Sequence, residues 1–176
     1  EITITTASGV LADQVSEHGL ALTLAWHRNL GAFILDQFTA SGNPDYRRFK
    51  RKPTRDLTEK TVGIVGFGGV GRRFSEVVRP FARRILATDL YPENRPGHVD
   101  ELWPADRLDD LLRQADVVFL SLPLCTETRG IIDRTRLAAM KEGALLVNMA
   151  RGPLVDSDAL AEAIASGHLA GAVMDV

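Results

Sequence analysis

The sequence is poor in cysteine, in charge of one sign and in long apolar stretches, and each shortage excludes a class of function. Its 176 residues hold one cysteine, Cys125. That rules out an intramolecular disulfide and any multi-cysteine zinc site, and it suits a reducing cytoplasm. The 21 basic and 23 acidic residues leave a formal charge of -2. Bulk attraction to nucleic acid or an anionic membrane needs many more Lys and Arg than acidic residues, so neither is an expected partner. The apolar run Gly19 to Trp26 is bracketed by His18 and His27 and is far too short to cross a bilayer. The start, Glu1-Ile2-Thr3-Ile4-Thr5, has neither the basic opening nor the apolar stretch of a secretory leader, and the expected location is cytoplasmic.

What is present is 45% hydrophobic residues, enough to bury the core of one globular domain. From Asp13 to about Phe38, Val15, Leu22, Trp26, Leu30, Phe33 and Ile34 recur at helical spacings. This predicts one long helix with Asp13 as its N-cap. Ser41-Gly42-Asn43-Pro44-Asp45 breaks the pattern, and Tyr46 to Thr58 is a basic connector that reads as solvated surface. After Lys60, short apolar runs alternate with amphipathic stretches. The predicted strands are Thr61 to Gly66, Arg84 to Thr88, Val117 to Ser121, Ala144 to Asn148 and Gly171 to Asp175, with a weak one near Val99 to Leu102. The predicted helices are Val70 to Phe81, Leu108 to Gln114, Asp133 to Ala139 and Ser157 to Ser166. The expected fold is α/β, a doubly wound parallel sheet. Residues 1–58 would form a strand, the long helix and the connector, and residues 59–176 a dinucleotide-binding domain.

The most informative stretch runs from strand to helix through Gly66-x-Gly68-x-x-Gly71. Gly66 permits a tight turn, Gly68 lets backbone approach a pyrophosphate, and Gly71 lets the helix pack close to the strand. The pyrophosphate would sit at the helix N-terminus, with Gly69 and Val70 as the nearest N–H donors. The second strand ends in Asp89, 18 positions past Gly71, where a carboxylate would accept from both hydroxyls of an adenosine ribose and repel a 2′-phosphate. NAD is therefore the expected cofactor. A P-loop is excluded, because Arg72 follows Gly71 where that motif places Lys and then Ser or Thr.

Further motifs follow in order: Glu17-His18 in the first helix, Leu122-Pro123-Leu124-x-x-x-Thr128-x-Gly130, Asn148-x-x-Arg151-Gly152-x-x-Val155-Asp156 and the closing Gly171-Ala172-x-x-Asp175-Val176. With the glycine turn and Asp89, the chain resembles the D-isomer-specific 2-hydroxyacid dehydrogenases, the family of phosphoglycerate, glycerate and formate dehydrogenases, over nearly its whole length. The resemblance implies a Rossmann domain in which Gly69 and Val70 hold the pyrophosphate, Asp89 the ribose, and Leu122 with Pro123 the adenine. It also puts Thr128 among the cofactor-binding residues, Met149, Ala150 and Arg151 beside the nicotinamide, and Asp175 on its carboxamide.

Arg151 matches the family's catalytic arginine, and the chemistry agrees. A 2-oxo acid presents a carboxylate and a carbonyl oxygen on one side, which a guanidinium can grip as a planar fork while charge grows on that oxygen. The family's proton-shuttling histidine and its partner glutamate match no residue here. His18, His27, His98 and His168 read as structural or solvated, and Gly69 stands where relatives commonly carry a larger residue. The chain is thus expected to be the cofactor-binding portion of a two-domain enzyme without its substrate domain, binding NAD but inactive alone. A homodimer pairing through the long helix is expected. The alternative is a non-catalytic NAD-responsive protein of the corepressor type, toward which only the connector from Arg47 to Arg55 leans.

Overall fold

The computed structural model describes residues 9–39 and 54–176. The predicted strand at the N-terminus and most of the basic connector lie outside them. Among the described residues six parallel strands form one sheet: β1 Thr61–Val65, β2 Arg84–Asp89, β3 Glu101–Pro104, β4 Val117–Leu120, β5 Leu145–Asn148 and β6 Gly171–Met174. Their order is β3-β2-β1-β4-β5-β6. The order reverses between β1 and β4, which opens a crevice at their carboxyl ends, where ligands of such sheets collect. β4 and β5 are buried at every residue, as runs without polar alternation require when helices cover both faces.

Among the described residues five α-helices cover the sheet and a sixth follows the first of them. α1 (Ala12–His27) and α3 (Gly69–Val78) lie on one face, and the short α2 (Leu30–Thr39) follows α1. α4 (Leu108–Gln114), α5 (Arg134–Ala139) and α6 (Ser157–Ala165) cover the other. On the first face Phe74 of α3 stacks on Phe119 of β4, with ring centroids 3.7 Å apart. α6 starts where the sequence reading places it and α5 one residue later, after Asp133, because the Asp133 and Asp156 carboxylates cap them by accepting the N–H groups of Arg136 and Ala159. α3 ends earlier than predicted, at Val78, because Pro80 cannot continue a helix. The weak strand lies at Glu101–Pro104, since pairing with β2 begins only at Leu86 opposite Glu101.

Two expectations for the first helix are corrected. Asp13 is not its N-cap; Leu11 holds that position, and the Asp13 carboxylate, one residue inside the helix, pairs with Arg73 of α3 at 2.6 Å. Nor is the helix continuous. Asn29 adopts a left-handed φ of 56°, which asparagine tolerates better than most residues, and the chain breaks into α1 and α2 there. The apolar spacing runs on across the break, so periodicity alone could not locate it.

At the end of α1, His27 is buried and its Nδ1–H donates to the Thr23 carbonyl at 2.8 Å. Burial holds the imidazole below its ordinary range against that bond, and the charges of Arg55, Lys60 and Arg28 add to the lowering. Below the ordinary value of about 6.5 the unfolded chain takes up a proton that the folded chain refuses. Stability is therefore expected to fall as pH drops through that value toward the lower folded one. Urea denaturation at about pH 7.5 and about pH 5.5 measures the loss, and His27→Gln should flatten it. Equal slopes in both proteins would remove His27 as its source.

Candidate cofactor crevice

The exit of β1 is a turn that only glycine can make. Gly66 has a φ of 89°, and a Cβ there would sit 2.8 Å from the Leu122 backbone nitrogen. The Gly66 N–H donates to the Thr88 carbonyl at 2.9 Å, and its carbonyl accepts from Ser121 Oγ at 2.7 Å, so the turn is held from both neighbouring strands. A Cβ on Gly71 would lie 2.2 Å from that same carbonyl oxygen. A Cβ on Gly68 would meet nothing within 4 Å. The turn is thus closed toward the protein at Gly66 and Gly71 and open outward at Gly68, the shape that lets a phosphate approach backbone. No side chain caps the N-terminus of α3 and no acidic residue stands in its first turn, which leaves its N–H groups and dipole available to an anion.

Gly69 also has a local cause. A Cβ there would come within 3.0 Å of the Gly9 Cα, so the turn before α1 occupies the space a larger side chain would need. Ser16 Oγ of α1 donates to the Val70 carbonyl at 3.2 Å, a second tie between α1 and the first turn of α3.

Asp89 ends β2 beside this turn. Its Oδ2 accepts from the Phe67 N–H and its Oδ1 from the Tyr91 N–H at 2.9 Å. Each oxygen retains a further acceptor position, so both ribose hydroxyls can still donate to it. Across the switch point Leu122 is buried and Pro123 exposed. Thr128 Oγ donates to the Pro123 carbonyl at 2.7 Å and so folds the segment leaving β4 back on itself.

At the end of β5 the fully buried Asn148 holds three residues at once. Its Nδ2 donates to the Arg151 carbonyl at 2.9 Å, its Oδ1 accepts from the Ala150 N–H at 3.0 Å, and its own carbonyl accepts from the Asp175 N–H at 3.1 Å. Met149 and Ala150 are buried, while the Arg151 side chain is exposed and, among the described residues, hydrogen-bonds only to the Ala150 carbonyl, at 2.7 Å. Among the described residues no carboxylate pairs with it, so most of its donors remain open to a ligand. The sequence motif gives Asn148 no role, yet its side chain orients the Met149 to Arg151 segment.

Of the histidines, His27 serves Thr23, His98 Nε2 meets Ser75 Oγ at 2.9 Å, and His168 Nε2 donates to the Leu137 carbonyl at 3.2 Å. His18 is half exposed, and its Nε2 lies 3.7 Å from Asp175 Oδ1, beside a candidate site residue. Among the described residues no cluster of three metal-ligating side chains occurs, and no helix is long and apolar enough to cross a membrane.

Comparison with known proteins agrees with this geometry. Residues 20–176 match the family model for the D-isomer specific 2-hydroxyacid dehydrogenase, NAD binding domain. The chain is 39% identical to a glyoxylate reductase of Thermococcus kodakarensis over 181 residues, covering 99% of this chain and 53% of that protein. It is 36% identical to a D-3-phosphoglycerate dehydrogenase of Mycobacterium bovis over 187 residues, covering 100% of this chain and 34% of that protein. The structure superposes on an NAD-dependent formate dehydrogenase from Staphylococcus aureus in complex with NAD with a TM-score of 0.82 at 30% identity, covering 96% of this chain and 49% of that one. The chain spans about half the length, or less, of these relatives. Nothing in the comparisons supports the corepressor alternative. With the crevice, the glycine turn and the family match in agreement, the chain belongs to the D-isomer-specific 2-hydroxyacid dehydrogenases and carries their NAD-binding domain.

Proposed function

We propose that the protein transfers hydride between NAD(H) and a small D-2-hydroxy or 2-oxo acid, with these residues supplying the cofactor site and the substrate-gripping arginine. The observation that carries the reading is a single row: Gly66 to Gly71, Asp89, Leu122 to Thr128, Met149 to Arg151 and Asp175 all leave the carboxyl ends of their strands on one edge of the sheet. Bound NADH would supply the hydride. The Gly69 and Val70 N–H groups would hold its pyrophosphate and Asp89 its adenosine ribose, with Leu122 and Pro123 against the adenine. Met149, Ala150 and Arg151 would line the nicotinamide side and Asp175 would accept from the carboxamide. Arg151 would grip the substrate carboxylate and carbonyl oxygen and stabilise the charge that grows there. None of the four histidines is assigned the proton transfer.

Two further parts belong to this reading. A homodimer would pair through α2, whose Leu30 and Ile34 are 48% and 50% exposed. The lone exposed Cys125 fits a reducing, cytoplasmic setting.

Calorimetric titration tests the cofactor assignment. NADH should bind at least about a hundredfold more tightly than NADPH, because the Asp89 carboxylate repels a 2′-phosphate, and Asp89→Asn should narrow the gap. No binding of NADH, or an unchanged ratio in the variant, would defeat the reading.

A further inference from the structure

Arg72 is a cation placed against the local field. It lies in the first turn of α3, where the helix dipole disfavours positive charge, and among the described residues no carboxylate pairs with it. Its neighbour Arg73, by contrast, is anchored to the Asp13 and Glu76 carboxylates. Arg72 turns instead to backbone. Its Nη2 donates to the Glu93 carbonyl at 2.8 Å and its Nη1 to the Asn94 carbonyl at 2.9 Å, and the guanidinium lies over the Phe67 ring, 4.8 Å from its centroid.

These contacts close a ring of interactions around Asp89. The segment leaving β2 is exposed, with Leu90 and Tyr91 at 70% and 74%, and Asn94 takes a left-handed φ of 53°. At its near end Asp89 accepts the N–H groups of Phe67 and Tyr91; at its far end Arg72 grips Glu93 and Asn94 while covering Phe67. Phe67 thus belongs to both ends of the arrangement. We infer that Arg72 is a positioning residue of the adenosine-ribose subsite: it straps the segment from Leu90 to Asn94 onto α3 and so holds the Asp89 carboxylate in the orientation that receives the ribose hydroxyls and turns away a 2′-phosphate. The inference rests on the cofactor reading above and adds to it a residue outside the glycine motif.

The test is calorimetry on the full chain with Arg72→Gln and Arg72→Lys, titrating NADH, NADPH, ADP-ribose and nicotinamide mononucleotide, alongside thermal melts. Both variants should bind NADH and ADP-ribose about tenfold more weakly, the scale of a lost charge-assisted bond. Both should prefer NADH over NADPH less and should bind the mononucleotide, which lacks the adenosine ribose, as the parent does. Lysine keeps the charge but cannot span two carbonyls as a planar fork, so it also serves if glutamine disturbs the helix. Lysine restoring NADH affinity would overturn the strap in favour of a simple charge contact. Unchanged ADP-ribose affinity in both variants, or parallel loss of the mononucleotide, would also overturn it. Failure of the parent chain to bind NADH would instead defeat the cofactor reading itself.

Discussion

Exchanging Arg151 for lysine is expected to lower turnover of a 2-oxo acid by about a hundredfold or more while leaving NADH affinity within about twofold. The guanidinium emerges from a segment whose backbone Asn148 fixes on both sides, through the Ala150 N–H and the Arg151 carbonyl. Among the described residues it makes one hydrogen bond and meets no carboxylate, so its fork is open to a substrate with two oxygens on one side. Lysine retains one positive charge but offers a point rather than a plane, and its flexible stem must be ordered in the transition state. The loss should fall on kcat and kcat/KM together, because the contact that matters strengthens as charge builds on the carbonyl oxygen. Steady-state kinetics of the complete protein with NADH and a panel of 2-oxo acids makes the measurement, and NADH fluorescence titration supplies the control. An unchanged kcat would remove Arg151 from the catalytic role.

The second large effect is expected at Gly71, with Gly68 as its counterpart. Alanine at 71 would place a methyl 2.2 Å from the Gly66 carbonyl oxygen and 3.0 Å from Ser121 Oγ. That oxygen cannot swing aside without losing the Ser121 bond, and the Gly66 N–H is tied to Thr88 on the other side. Relief requires α3 to move off β1, so Gly71→Ala should cost more than the ~1–3 kcal/mol typical of overpacking a core. It should also weaken NADH binding by more than about a hundredfold, because the helix N-terminus moves with the helix. Alanine at 68 meets nothing within 4 Å and sits at a φ of -76°, which any residue adopts. Gly68→Ala should therefore melt as the parent does yet bind NADH poorly, the methyl standing where the pyrophosphate approaches. Thermal melts and calorimetry on the two variants separate the structural glycine from the ligand-facing one. Equal behaviour of the pair would contradict the assignment.

Much of this crevice was legible in the chain. β1, β2, β4 and β5 could be read because strands covered on both faces are continuous apolar runs, and Ile64-Val65 or Leu146-Val147 carry that signal without help from neighbours. α5 and α6 could be placed because Asp133 and Asp156 cap them locally. The glycine turn was readable because its demands at Gly66 and Gly71 are steric and belong to one short segment. The break after His27 was not, since the apolar spacing of α2 continues that of α1 and the interruption rests on one left-handed asparagine. Asp13 looked like a cap because it begins the pattern; its carboxylate is drawn to Arg73, sixty residues on.

The sequence by itself determined the alternation of strands and helices, the glycine turn and the acidic end of β2, because hydrophobic period and backbone freedom are properties of neighbouring residues. Only the tertiary structure decided that Phe67 and Arg72 would brace Asp89, that the Asn148 carbonyl would receive the Asp175 N–H, and that His18 would stand beside Asp175. Those pairings join segments distant in the chain. They exist because the β3-β2-β1-β4-β5-β6 order brings the exits of separate strands to one edge, a through-space arrangement that no local pattern encodes.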